Sequence, residues 1–162
     1  MNPENERLSP ATTPELVFRR TLEAPRELVW RAWTDPAHLA RWWGPDGYTI
    51  PRCELELRPG GAVRIDMEGP GGQVIPSRGT VHEVHSPERL VFSLRSFEDE
   101  AGEPQLEVHY TAAFKAQGGQ TTLTLHALVT RAGPGVAASL AGMEAGWNES
   151  LDRLERSVTN AP

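Results

Sequence analysis

The order of hydrophobic periods along this chain predicts an α+β fold: one strand, two short helices, a six-strand antiparallel meander and a C-terminal helix. Three observations carry that prediction. From Thr49 to Val129, apolar and polar side chains alternate in segments punctuated by Gly- and Pro-rich turns, the period-two signature of half-buried strands. After Gly133-Pro134-Gly135 the period changes. Val136, Leu140, Met143, Trp147, Leu151, Leu154 and Val158 then recur at intervals of three and four, one apolar stripe along a single long helix. Between residues 25 and 45, four of the five tryptophans crowd into two short helical segments.

Glu15 to Glu23 reads as the first strand. A helix is expected from Pro25, whose fixed φ suits a first turn, to about Trp33. Asp35-Pro36 then supplies an N-cap and first-turn proline for a second short helix that ends at Gly44-Pro45. Val29, Ala32 and Trp33 give the first helix an apolar face, and Leu39, Trp42 and Trp43 do the same for the second. Trp30 and Trp33 are expected in the core. Trp42 and Trp43, beside a Gly-Pro break, are placed at a cavity mouth or a partner surface.

The meander follows in order. Cys53, Leu55 and Leu57 share a face, and Arg58-Pro-Gly-Gly61 ends that strand. Val63, Ile65 and Met67 alternate with charged residues before the turn at Gly69-Pro-Gly-Gly72. A third strand runs from about Gln73 to His85, with Pro76 marking an edge or a bulge near its start. Leu90, Phe92 and Leu94 mark the fourth. Leu106, Val108, Tyr110, Ala112 and Phe114 mark the fifth, and after Gly118-Gly119, Leu123, Leu125, Ala127 and Val129 mark the sixth.

With 162 residues the chain can bury a core without staples. A net charge of −6 argues against general nucleic-acid binding, which needs a basic surface. The single cysteine, Cys53, precludes an internal disulfide and is expected to be an inert wall thiol. Residues 1–14 read as a disordered tail without a secretory h-region, ahead of one domain over 15–158. No apolar run approaches the roughly 18 residues of a membrane span, so a cytoplasmic protein with no membrane insertion is expected.

Five pieces of the chain carry a family resemblance: Pro25 to Pro45, Arg58-Pro-Gly-Gly61, Pro87-Glu-Arg-Leu-Val-Phe92, Thr122-Leu-Thr-Leu125 and Gly146-Trp-Asn-Glu-Ser-Leu-Asp-Arg-Leu154. In this order they resemble the SRPBCC (START-like) superfamily, in the bacterial single-domain branch of the family named after the activator of the heat-shock-protein-90 ATPase. The resemblance implies a helix-grip fold, a curved antiparallel sheet around a long C-terminal helix, with an elongated cavity between them that often takes apolar molecules. The activators that give the family its name look like two-domain proteins, and their separate N-terminal domain has no counterpart here.

If such a cavity exists, Trp43, Tyr48, Met67, Phe97, Met143 and Trp147 are suited to its wall, with Arg95 as an anchor for a carboxylate or phosphate. Met143 and Trp147 could equally close the core, and Ala141, Gly142, Ala145 and Gly146 could let the helix approach and shrink the space. No catalytic residue, cofactor site or metal site is recognisable. His82 and His85, three apart on a strand, are expected on opposite faces, His109 and His126 on the polar face, and His38 exposed. Three functions follow: non-catalytic binding of a small apolar or amphipathic molecule, a chaperone-associated protein-interaction module, or a polyketide-cyclase-like enzyme. The exposed edge strands and Trp42 leave a homodimer open.

Overall fold

The computed structural model describes residues 15–159, so the proposed tail over 1–14 lies outside the described residues. Strand β1 (Glu15–Leu22) leads into helices α1 (Arg26–Thr34) and α2 (Pro36–Trp42). Strands β2 (Thr49–Leu55), β3 (Ala62–Glu68), β4 (Val74–His85), β5 (Arg89–Glu98), β6 (Pro104–Gln117) and β7 (Gln120–Ala132) follow. A 3-10 turn (Pro134–Val136), a short helix α3 (Ala137–Ala141) and the long helix α4 (Met143–Thr159) complete the domain. All strands join one antiparallel seven-stranded sheet in the order β1-β7-β6-β5-β4-β3-β2. This is the expected α+β helix-grip architecture.

Local chemistry explains the helical pair. Asp35 accepts a hydrogen bond from the Ala37 N–H at 3.1 Å and Pro36 occupies the first turn, so one helix stops and the next starts without an unpaired donor at the cap. The Thr121 hydroxyl donates to the Ala24 carbonyl at 2.7 Å, tying the entry of α1 to the sheet. Trp33 and Trp42 lie 4.7 Å apart between ring centres, and the Trp42 indole N–H donates to the Ala32 carbonyl at 2.9 Å. Trp42 is fully buried core, which corrects its placement at a cavity mouth or partner surface and removes it from any argument for a homodimer.

Three further expectations change. The apolar stripe after Gly133 is continuous, but the helix is not: α3 ends at Ala141, Gly142 caps it, and α4 begins at Met143. Glycine's cost in a helix interior falls at that junction. At Pro76 the strand β4 pairs with β3 alone, because pairing with β5 starts at Ser77↔Ser96. Proline is therefore tolerated in what becomes an internal strand a residue later. A bulge between Val81 and Glu83 then resets the alternation of β4. Val81 and Val84 both pack on the core, so His82 and His85 share the outer face and not opposite ones. Close to the bulge, a Cβ on Gly79 would stand 1.6 Å from the Ser93 carbonyl oxygen, so only glycine fits there.

Candidate functional site

Between the sheet and the C-terminal helices the interior opens into a cavity of about 420 Å3. The sheet contributes Met67 of β3, Ile75 and Ser77 of β4, Leu94, Ser96 and Phe97 of β5, and Leu106, Val108 and Tyr110 of β6. The roof is Ala138 and Ser139 of α3, Gly142 at the junction, and Met143, Gly146, Trp147 and Ser150 of α4. One end is closed by the turn after α2, through Trp43, Gly44, Pro45 and Tyr48.

Each wall has a local cause. The turn after α2 is held by Arg153, whose guanidinium donates to the carbonyls of Arg41 at 3.1 Å and Gly44 at 3.0 Å, with that of Pro45 at 3.4 Å. These are carbonyls at and just beyond a helix C-terminus, where a cation is favoured. Glu149, one turn earlier on the same helix, accepts the Asp46 N–H at 2.9 Å. Two charged side chains of α4 thus fix the segment that presents Trp43 and Pro45. Gly44 adopts φ +97°, and a Cβ there would press on the Met67 sulfur at 3.3 Å, so the turn and the thioether wall require glycine together.

Trp147 stands at the centre. It stacks on Trp33 at 6.2 Å with planes 6° apart and meets Trp43 at 5.0 Å and Tyr110 at 5.4 Å, both edge-on. Phe97 reaches the cavity by an unusual route. Leu90, Phe92, Leu94 and Ser96 face inward, so strict alternation would send Phe97 out, but its backbone adopts φ +58°. A left-handed conformation at a bulky residue costs about 1–3 kcal/mol and is found mostly where surrounding structure imposes it at functional positions.

Of the residues singled out in the sequence, Trp43, Tyr48, Met67, Phe97, Met143 and Trp147 come together around this space. Arg95 does not. It lies on the outer face with its guanidinium 3.8 Å from the Glu107 carboxylate, because it occupies the outward parity of β5, and so cannot serve as the anchor. Cys53 is half-buried on β2 outside the lining, and burial pushes its thiol up to about 11, leaving it unreactive near neutrality.

The polar side-chain groups of the lining residues are hydroxyls and the indole N–H groups of Trp43 and Trp147, with no Asp, Glu, His, Lys or Arg side chain among them. Ser77 and Ser96 face each other across β4 and β5 with their oxygens 2.6 Å apart. The Tyr110 hydroxyl has its ionisation pushed strongly up by burial, with hydrogen bonding from the Trp147 side chain acting in the opposite sense. Ser150 donates to the Gly146 carbonyl of its own helix at 3.0 Å.

The histidines lie elsewhere. His38 is buried, with its Nε2 2.7 Å from the Ser157 hydroxyl, which corrects its expected exposure. On the outer face of the sheet, His82 and His109 stack at 5.3 Å above Ser93, whose hydroxyl is 3.0 Å from His82 Nε2. His126 pairs with Glu15 at 3.0 Å, and His85 with Glu83 at 3.3 Å. No cluster of three potential metal ligands forms among the described residues. Nor is any described helix long and apolar enough to cross a membrane.

A curved antiparallel sheet closed by a C-terminal helix over an apolar cavity defines a START-like protein of the SRPBCC superfamily. Within that class, residues 23–159 match the family described as activator of Hsp90 ATPase homolog 1-like protein, and the chain belongs to it. Similar solved structures include a protein of Nitrosomonas europaea, 27% identical, with 90% of this chain and 94% of that one covered at a TM-score of 0.74. A protein of Chromobacterium violaceum is 26% identical, with 91% and 98% covered and a TM-score of 0.75. The fold recurs in the solution structure of a protein from Arthrobacter aurescens, 24% identical, with 91% and 87% covered and a TM-score of 0.77. No curated protein is similar enough to this chain to count as a match.

Proposed function

We propose that this protein binds a small, largely apolar molecule in the cavity between sheet and C-terminal helix, and that it does so without catalysing a reaction. The observation that carries the reading is the cavity itself: about 420 Å3 lined mostly by aromatic, aliphatic and thioether groups. Ligand sites are typically concave, of about 300–1,000 Å3, apolar and furnished with a few polar groups. Trp43, Tyr48, Met67, Phe97, Met143 and Trp147 form the contact wall in this proposal.

Two observations favour binding over the other functions. Acid-base catalysis calls for a group that ionises near neutrality, whereas the lining offers serines and two tyrosines, and burial opposes the ionisation of Tyr110. A protein-docking module calls for a continuous exposed apolar patch. The large exposed apolar side chains among the described residues are Val17 on β1, Leu57 after β2 and Val74 at the start of β4, which stand apart on the sheet.

Native mass spectrometry of the gently purified protein, followed by solvent extraction, tests the reading. The comparison is Gly146→Leu, whose added side chain starts 3.7 Å from the Pro45 Cβ and grows into the cavity. A neutral small molecule retained by the parent chain and absent from the variant is the expected outcome. A clean unliganded mass, together with no tryptophan fluorescence response to a panel of apolar compounds, would sink it.

A further inference from the structure

The cavity contains a polar feature that an apolar container does not need. On the inward faces of β4 and β5, the rows Ile75-x-Ser77 and Leu94-x-Ser96 each replace the next large apolar residue by serine, at positions that are direct partners across the ladder. Both serines are more than nine-tenths buried, at 7% and 8% exposure. Their oxygens are 2.6 Å apart, and neither hydroxyl has another side-chain hydrogen bond among the described residues. Two hydroxyls hold two protons, and the bond between them uses one. Whichever serine donates, the other keeps an O–H without an acceptor inside a largely apolar space, where an unmet donor is costly. Tyr110 lines the same space, and its phenol adds a further hydroxyl proton to that wall.

No charged side chain lines the cavity to neutralise an ion brought into it. Resting on the binding function proposed above, we infer that the occupant is an uncharged, flat, mainly apolar molecule carrying an acceptor oxygen, such as a ketone or ester carbonyl, which docks on the Ser77–Ser96 hydroxyl pair. The aromatic walls receive the flat body, the spare hydroxyl proton meets the carbonyl, and a carboxylate is rejected because nothing compensates its lost hydration.

Three probes of nearly equal shape test the inference by calorimetric or fluorescence titration: 2-ethylnaphthalene, 2-acetylnaphthalene and 2-naphthoate. The ketone is expected to bind about threefold to tenfold more tightly than the hydrocarbon, the range of one net hydrogen bond. The carboxylate is expected to bind at least about a hundredfold more weakly than the ketone. In Ser77→Ala/Ser96→Ala, the advantage of the ketone over the hydrocarbon should disappear. A carboxylate that binds as well as the ketone overturns the inference, as does a ketone advantage that survives loss of both hydroxyls. In either case the hydrocarbon still binds and the cavity reading stands. Binding of none of the three overturns both.

Discussion

The two ends of helix α4 face the same sheet and do opposite things. Toward its C-terminus, Leu151, Leu154 and Val158 are buried to 2% exposure or less and share one core with Trp33, Trp42, Leu123 and Leu125. Toward its N-terminus the inward positions are Met143 and Gly146, and a cavity takes the place of packed side chains. Trp147 sits at the boundary, stacked on Trp33 of the filled end and edge-on to Trp43 and Tyr110 of the open end. The difference shows that side-chain size along one helix face is enough to turn a core into a container. Protein interiors normally pack at crystal-like density, so an unfilled volume forfeits dispersion contacts that an occupant can restore.

Truncation at the boundary and at the filled end sharpens that contrast most. Trp147→Ala is expected to cost about 3–5 kcal/mol, because it opens a void shared by both ends, and to abolish ligand binding. Leu154→Ala is expected to cost about 2–5 kcal/mol while the folded fraction binds ligand with unchanged affinity. Urea unfolding gives the stabilities, and titration of the folded protein gives the affinities. Equal loss of binding in both variants would show that the two ends form one unit and break the comparison.

Next in size is the clamp. Arg153→Met removes charge-assisted bonds to the carbonyls around Gly44 but keeps the aliphatic stem, and should cost about 1.5–3 kcal/mol. It should also weaken ligand binding, because Trp43 and Pro45 lose their fixed position. Arg20→Met breaks an ion pair at 2.8 Å with the exposed Asp152 on the outer side of the same helix, and should cost under about 1 kcal/mol with no effect on binding. If the two variants bind ligand equally well, the turn is held by packing and not by Arg153.

Periods and breaks were legible in the sequence, and they placed all seven strands, both short helices and the apolar stripe of α4. Relations across strands were not. The Ser77–Ser96 pair depends on the β4–β5 register, and its only local trace is a serine at an inward position of each row. The shared outer face of His82 and His85 needs the bulge at Val81/Glu83, which no residue in that stretch announces. Arg95 was misplaced although parity was available: Leu90, Phe92 and Leu94 face in, so Arg95 faces out. The same parity would have excluded Phe97, which reaches the cavity through its left-handed backbone. Arg153 fell within a matched motif, yet its partners are backbone carbonyls more than a hundred residues away. Composition cannot reveal a contact of that kind.

Acid should separate the two ends with the smallest effect. At the filled end, His38 of α2 lies against Ser157 of α4. Burial holds its imidazole below the usual value of 6.5; repulsion from Arg41 and Arg31 adds to this, and attraction to Asp35 opposes it. A base whose folded pKa is depressed contributes stability that is present above about pH 6.5 and is lost as pH falls through its folded value, since the unfolded chain then binds more protons. His109 behaves in the same sense, through burial and the neighbouring His82 and His126, against the pull of Glu107 and Glu83. The open end has no ionisable group of that range in its lining. Urea midpoints measured at about pH 7.5 and about pH 5.5 should therefore fall in the parent chain, and fall less in His38→Gln, in which His109 still titrates. Affinity for a neutral ligand, referred to folded protein, should stay flat over the same interval. An acid loss of stability equal in parent and variant would remove His38 as its source, and an affinity that follows the midpoint would mean that the filled end sets the shape of the open one.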